Sequence, residues 1–351
     1  MKFIAILLFS AIPFVAECKA ALRVVFINPG FVESNDSGDF WPNVNHFMKA
    51  AANDLGIELI SLHADRNHIL MKQLVKQAVA FNPDYLVLVN EKEMLPQMMK
   101  QLEGTDLKVF LLLNKFNREQ RKDLSSQQVN QIVGCLSPNN RDVGEQLAEA
   151  LIKRAEQGEN AELAMFALLG DYKTPAAKER EAGLLKALER YPNVQLIDST
   201  VANWSEQEAF EKTYGVLSKH QADIVWAAND AMAFGAISAL NELGKKNAIV
   251  VGGINWDIHA KRYQTDVSYG GHVTLGAKAL LMIYDQHFYP ERAQVMSQQL
   301  DIFESSQTAV NKPFLKILKD KKFDDIDFAK FSVKEKEPLT FNLENILASM
   351  Q

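Results

Sequence analysis

The chain predicts an α/β protein with two doubly wound parallel-sheet lobes. Three observations carry this. The 351 residues exceed what one hydrophobic core usually spans. Short apolar runs alternate with amphipathic helical stretches almost from end to end. The runs are apolar at successive positions rather than at every second one, which marks strands covered by helices on both faces.

In chain order, residues 22–28 read as the first strand. Phe40, Val44, Phe47, Met48, Ala51 and Leu55 then fall at helical spacing, and Gly56 stops the helix. Strands follow at 57–62, 85–89 and 109–113, separated by helices at 67–80 and 94–102. The run 132–136 opens a second series. It continues with a helix at 141–157 and strands at 163–169, 194–197, 224–228 and 248–251. Helices at 175–191, 205–218 and 231–243 separate them, and a last one spans 273–289. Ser205 with Glu208 has the spacing of a capping box, and Gly244 marks a helix end. About ten strands divide more readily into two sheets than one. The tail from 312 to 336 is lysine-rich and acidic by turns.

Met1-Lys2, a short apolar run to Val15 and small residues at Cys18 and Ala20 read as a secretory signal peptide, residues 1–20, cut after Ala20. Cys135 is then the one remaining cysteine; it cannot form an internal disulfide, and its apolar strand reads as burying an inert thiol. The net charge of −6 is too mild and too acidic for a nucleic-acid footprint. The sequence has no nucleophile elbow, phosphate loop, zinc-helix motif or dinucleotide fingerprint, and its seven histidines are scattered. An enzyme is therefore not expected, and no cofactor or metal.

In doubly wound sheets, ligands bind beyond the carboxyl ends of the strands. The residues at those ends are rich in Asn, Asp and aromatics: Asn28, Phe40 and Trp41; Asn90 and Glu91; Asn114; Asn139 and Asn140; Asp171 and Tyr172; Asn229 and Asp230; Asn255, Trp256 and Asp257. Planar amides and carboxylates match pairs of hydroxyls, and aromatic rings stack on the C–H faces of a sugar.

These segments resemble a known family. Ala227-Ala228-Asn229-Asp230-Ala231-Met232-Ala233-Phe234-Gly235-Ala236 resembles the ligand-binding segment of the type I periplasmic binding proteins, the ribose-binding and LacI-like group. Residues 176–183 resemble the helix with that family's arginine, 251–257 its late strand end, and 267–272 its last crossover; the likeness spans about 22–290. It implies Asn229 and Asp257 as ligand hydrogen-bonders, Arg180 as the arginine, Trp204 as an aromatic near the ring, and Phe40 and Trp41 as the pair after the first strand. Asn114 stands where an aspartate is usual, and His272 at or beside a usual glutamine. The resemblance implies lobes built from discontinuous chain, 21–134 plus 270–302 and 135–269 plus 303–351 with the tail, joined by a three-stranded hinge with crossings expected near 131–138, 268–271 and 300–305. The implied protein is a periplasmic monomer that closes on a sugar-like solute and delivers it to an ABC importer. The tail resembles larger members, including receptors that present a signal to a sensor kinase, and this stays the alternative. A repressor would need a helix-turn-helix where the signal peptide stands.

Overall fold

The computed structural model describes residues 21–33, 35–156, 162–257 and 264–350. The expected signal peptide lies outside them. Twelve strands are found among the described residues: β1 (Arg23–Asn28), β2 (Glu58–His63), β3 (Tyr85–Leu88), β4 (Lys108–Leu112), β5 (Ile132–Pro138), β6 (Leu163–Leu169), β7 (Val194–Val201), β8 (Ile224–Ala227), β9 (Val250–Ile254), β10 (Val267–Gly270), β11 (Ser297–Leu300) and β12 (Glu304–Ser305). The helices are α1 (Phe40–Leu55), α2 (His68–Ala78), α3 (Leu95–Met99), α4 (Arg118–Lys122), α5 (Ser126–Gln131), α6 (Asn140–Ala155), α7 (Pro175–Leu188), α8 (Glu206–Leu217), α9 (Asp230–Glu242), α10 (Leu275–Phe288), α11 (Lys312–Asp320) and α12 (Leu343–Ala348). None is long and apolar enough to cross a membrane.

The strands form two sheets of the same order, β11-β5-β4-β3-β1-β2 and β12-β10-β9-β8-β6-β7. All pairings are parallel except β10 with β12. Their inner strands are buried along nearly their whole length, as the unbroken apolar runs require: Val24 to Ile27 and Met165 to Leu168 are fully enclosed. In each sheet the order reverses beside its first strand. Ligand crevices open at such points, outside the carboxyl ends of the strands.

The chain leaves the first lobe after β5, and Asn140 starts α6 in the second. The chain returns between β10 and α10, and crosses again between β11 and β12. A further crossing was not expected. The tail, assigned on sequence to the second lobe, packs on the first. Phe314, Ile317, Leu318, Phe323, Ile326, Phe328, Phe331, Leu343 and Ile346 belong to the first lobe's apolar cluster. Phe314 lies parallel to Phe47 of α1 with ring centroids 5.9 Å apart. The tail's charges hide an amphipathic α11 whose Phe314, Ile317 and Leu318 are all buried.

Smaller departures have local causes. β11, Ser-Gln-Gln-Leu, is a polar edge strand, so no apolar run announces it. The Ser205 hydroxyl accepts the Glu208 N–H at 3.0 Å. The Glu208 carboxylate, expected to complete the capping box, instead accepts from Asn203 Nδ2 at 2.8 Å.

Candidate functional site

A cleft of about 560 Å³, partly open to solvent, lies between the lobes where the strand ends of both sheets meet. Phe40, Trp41, Asn114, Arg180, Trp204, Asn229 and His272 all line it. Asp257 does not. Asn255, two residues before it, does, as do Glu91 and Asn140, all three read at the strand ends, together with Ser37, Arg66 and Thr174, which the sequence did not mark.

Arg180 organises the second lobe's wall. It rises from α7, which approaches α6 so closely that a Cβ on Gly183 would sit 2.0 Å from the Arg141 carbonyl oxygen. This brings Asn140, at the start of α6, beside the guanidinium. Arg180 Nε donates to Asn140 Oδ1 at 3.0 Å, and Nη1 to the Ala228 carbonyl at 2.6 Å. Nη2 lies 3.2 Å from His272 Nε2. An arginine only donates, so Nε2 is the acceptor and the ring proton sits on Nδ1. Burial, then the Arg180 charge, holds His272 well below its usual pKa, which keeps the ring neutral. Burial pulls the guanidinium itself down to about 10, against the attraction of Asp230 and Glu179. His272 stacks on Phe40 of the first lobe at 4.7 Å, so it joins both walls.

Trp204 is fixed by a second network. Its indole N–H donates to Asp171 at 2.9 Å, and Asp171 also accepts from the Thr174 hydroxyl and the Lys173 and Thr174 N–H groups. Burial alone would raise this carboxyl; the Thr174 hydroxyl, Trp204 and the two backbone donors hold it below the usual range. The ring passes over Gly170, where a Cβ would fall 2.3 Å from Cζ2. Asn229 caps α9 by accepting the Met232 N–H at 2.9 Å, and its Nδ2 donates to the Trp204 carbonyl at 3.3 Å. That leaves one amide proton for the cleft.

The first lobe's wall is less committed. The buried Asn114 Oδ1 has no hydrogen-bond partner. Arg66 pairs with the buried Glu91 at 2.9 Å; burial raises the Glu91 carboxyl, against Arg66. Trp41 lies edge-on to Phe40 at 4.9 Å, and Gly30 leaves room for it.

Asp257 serves elsewhere. Its N–H donates to Asp230 Oδ2 at 3.0 Å, and its carboxylate accepts from Asn255 Nδ2 at 3.4 Å and from the Asp39 N–H of the first lobe. Burial, then Asp230 and Asp39, raises it well above the usual range, and the adjoining Asp230 is raised by burial to about 7. Both keep a buried oxygen without a partner. Trp256, another aromatic from this strand end, turns out of the cleft to pack against Phe314 of the tail, 5.7 Å between centroids.

One signal marks the cleft that the sequence could not show. Non-glycine residues with positive φ gather at the strand ends: Asp65-Arg66, Lys92-Glu93, Leu113, Asn203-Trp204 and Asn255-Trp256. Such conformations cost about 1–3 kcal/mol each and persist where surrounding structure holds a site in shape. Arg66, Leu113, Trp204 and Asn255 are all cleft-lining.

The fold, with two lobes of like topology around a polar and aromatic cleft, is that of a type I binding protein. Residues 30–266 match the model of the periplasmic binding protein domain, and the chain belongs to that family. It is a family of binding proteins, not of enzymes. The chain is similar to the crystal structure of a periplasmic sugar-binding protein from Pseudomonas fluorescens, with a TM-score of 0.82 at 29% identity over 93% of this chain and 99% of that one. A fructose import binding protein of Bifidobacterium longum is 26% identical over 78% of this chain and 79% of its own. A D-apiose import binding protein of Actinobacillus succinogenes is 26% identical over 68% and 74%.

Proposed function

We propose that this protein is a periplasmic sugar-binding protein that closes around a monosaccharide or similar polyhydroxy solute and presents it to an ABC importer. The observation that carries this is the composition of the cleft. Aromatic faces from both lobes, Phe40 and Trp41 against Trp204, stand among the planar groups of Asn114, Asn140, Asn229, Asn255 and Arg180. A sugar offers that pairing of C–H faces with hydroxyls. Arg180 directs its remaining N–H groups to adjacent oxygens of the sugar. Relatives named as fructose and D-apiose import proteins support both the solute class and the importer. The segment 1–20 acts as the leader that brings the chain, as a monomer, to the periplasm.

Binding to one lobe followed by closure of the other makes the closed form depend on solute, which is the signal an importer reads. Thermal-shift measurements on residues 21–351, unfolded and refolded to remove copurified solute, test this against D-fructose, D-ribose, D-allose, polyols and amino acids. A clear rise with a monosaccharide is expected. A rise with an amino acid and none with any sugar or polyol overturns the sugar assignment.

A further inference from the structure

The loop between β1 and α1 does more than line the cleft. Asp36 is exposed on the first lobe, yet its partners are on the second. Its Oδ1 accepts the Gln207 N–H at 3.0 Å, its Oδ2 accepts the Ser205 hydroxyl, and its backbone carbonyl accepts the Glu206 N–H at 2.9 Å. These donors form the first turn of α8. The first N–H groups of a helix lack partners within it and carry its positive end, so a carboxylate fits there. Ser205 already takes the Glu208 N–H. Asp36 therefore supplies, from the opposite lobe, the acceptors that the helix end still needs.

The same loop touches the second lobe again nearby. Gly38 has φ +87, and a Cβ there would fall 2.3 Å from the Asp257 carboxylate, which also accepts the Asp39 N–H. Between these contacts Ser37 faces the cleft, and Phe40 and Trp41 follow directly. A different cross-cleft pair, Glu93 with Lys178 at 2.8 Å, joins two partly exposed flexible chains, and pairs of that kind contribute little.

We propose that residues 35–39 form a closure latch. Asp36, docked on the end of α8, holds the lobes together and so presents Ser37 and Phe40 to the solute. It touches no solute itself and is a positioning residue. The inference rests on the reading of a two-lobed protein that opens and closes, and is independent of which sugar binds.

Hydrogen exchange and small-angle scattering on residues 21–351, saturated with the monosaccharide that gives the largest thermal shift, test it: compaction of the wild type on adding sugar reports a protein that closes, and its loss in the variants reports the latch. In Asp36→Ala, amide exchange rises about tenfold, a factor equal to ~1.4 kcal/mol. It rises at residues 205–209 and also at 37–41 on the opposite lobe, and the radius of gyration grows. Ser205→Asp keeps a good cap for α8 but sets a second carboxylate against Asp36, and it opens the protein likewise. Adding Asp36→Asn to Ser205→Asp removes the repulsion and restores closure. Exchange that rises at 205–209 alone, or a radius and exchange unchanged in all variants, overturns the latch.

Discussion

The two lobes share a strand order but differ in how their walls and cores are completed. The second lobe's cleft wall is pre-committed: Arg180, Asn140, Asn229, Asp171 and Trp204 hold one another in place. The first lobe's wall keeps an unpartnered Asn114 oxygen and carries the loop that reaches across. The cores differ in the opposite sense. The second lobe's cluster is built mainly from residues 143–267, whereas the first also takes in α10 and the whole tail. The comparison teaches that one lobe supplies a wall whose side chains are already bound to one another, while the other, finished by late-crossing chain, supplies a wall with polar groups still to be met.

The largest effect should come from removing residues 312–351. Each large apolar side chain buried there contributes about 1.5–3 kcal/mol, and their sum exceeds the usual net stability of a domain. Hydrogen exchange should show protection lost across β1 to β5 and kept in β6 to β9. Equal loss in both lobes would break the comparison. The single change Phe314→Ala should cost about 3–5 kcal/mol in urea unfolding.

Arg180→Met comes next. It leaves Asn140, the Ala228 carbonyl and His272 without their donor. Affinity for the sugar that gives the largest thermal shift should fall at least tenfold in calorimetry, and stability by about 1–3 kcal/mol. Asn114→Ala, on the less committed wall, should lower affinity while leaving stability nearly unchanged.

Gly170→Ala and Gly30→Ala compare the walls directly. Each adds a methyl group against a tryptophan, at 2.3 Å from the Trp204 ring and 2.2 Å from Trp41 Cβ. Overpacking of this kind costs about 1–3 kcal/mol. Because the Trp204 ring is pinned to Asp171, Gly170→Ala should lose more affinity than Gly30→Ala.

A last comparison is in pH and falls on the second lobe. Asp230 is raised from 3.8 to about 7 in the fold. The stability of its protonated form is fully present below about pH 4 and is lost as pH rises through about 7, at up to ~1.4 kcal/mol per pH unit. Asp230→Asn keeps an acceptor for the Ser268 hydroxyl and should reduce the fall of urea-derived stability between pH 4 and 7, the raised Asp257 supplying what remains. An unchanged slope would assign the linkage to another group.

Much of this was legible in the sequence because it rests on local rules. Unbroken apolar runs gave buried parallel strands, and the Asn and aromatic residues after them mark the sheet edge where the cleft opens. What was not legible depends on backbone conformation and on contacts distant in sequence. Asn255 and Asp257 are near neighbours at one strand end, but positive φ at Asn255 and Trp256 turns the first into the cleft and the second toward Asp39. Arg66 enters the cleft through a left-handed turn that no residue type announces. The tail's apolar residues recur at helical spacing among its charges, but their packing on Phe47 of the first lobe is a contact distant in sequence.

The most direct measurement is a titration of the refolded mature protein with monosaccharides, followed by tryptophan fluorescence, for wild type and Trp204→Phe. A saturable one-site change with one sugar, weakened at least tenfold in Trp204→Phe, is the predicted result. A change of undiminished affinity in the variant would place the sugar outside this cleft and contradict the account.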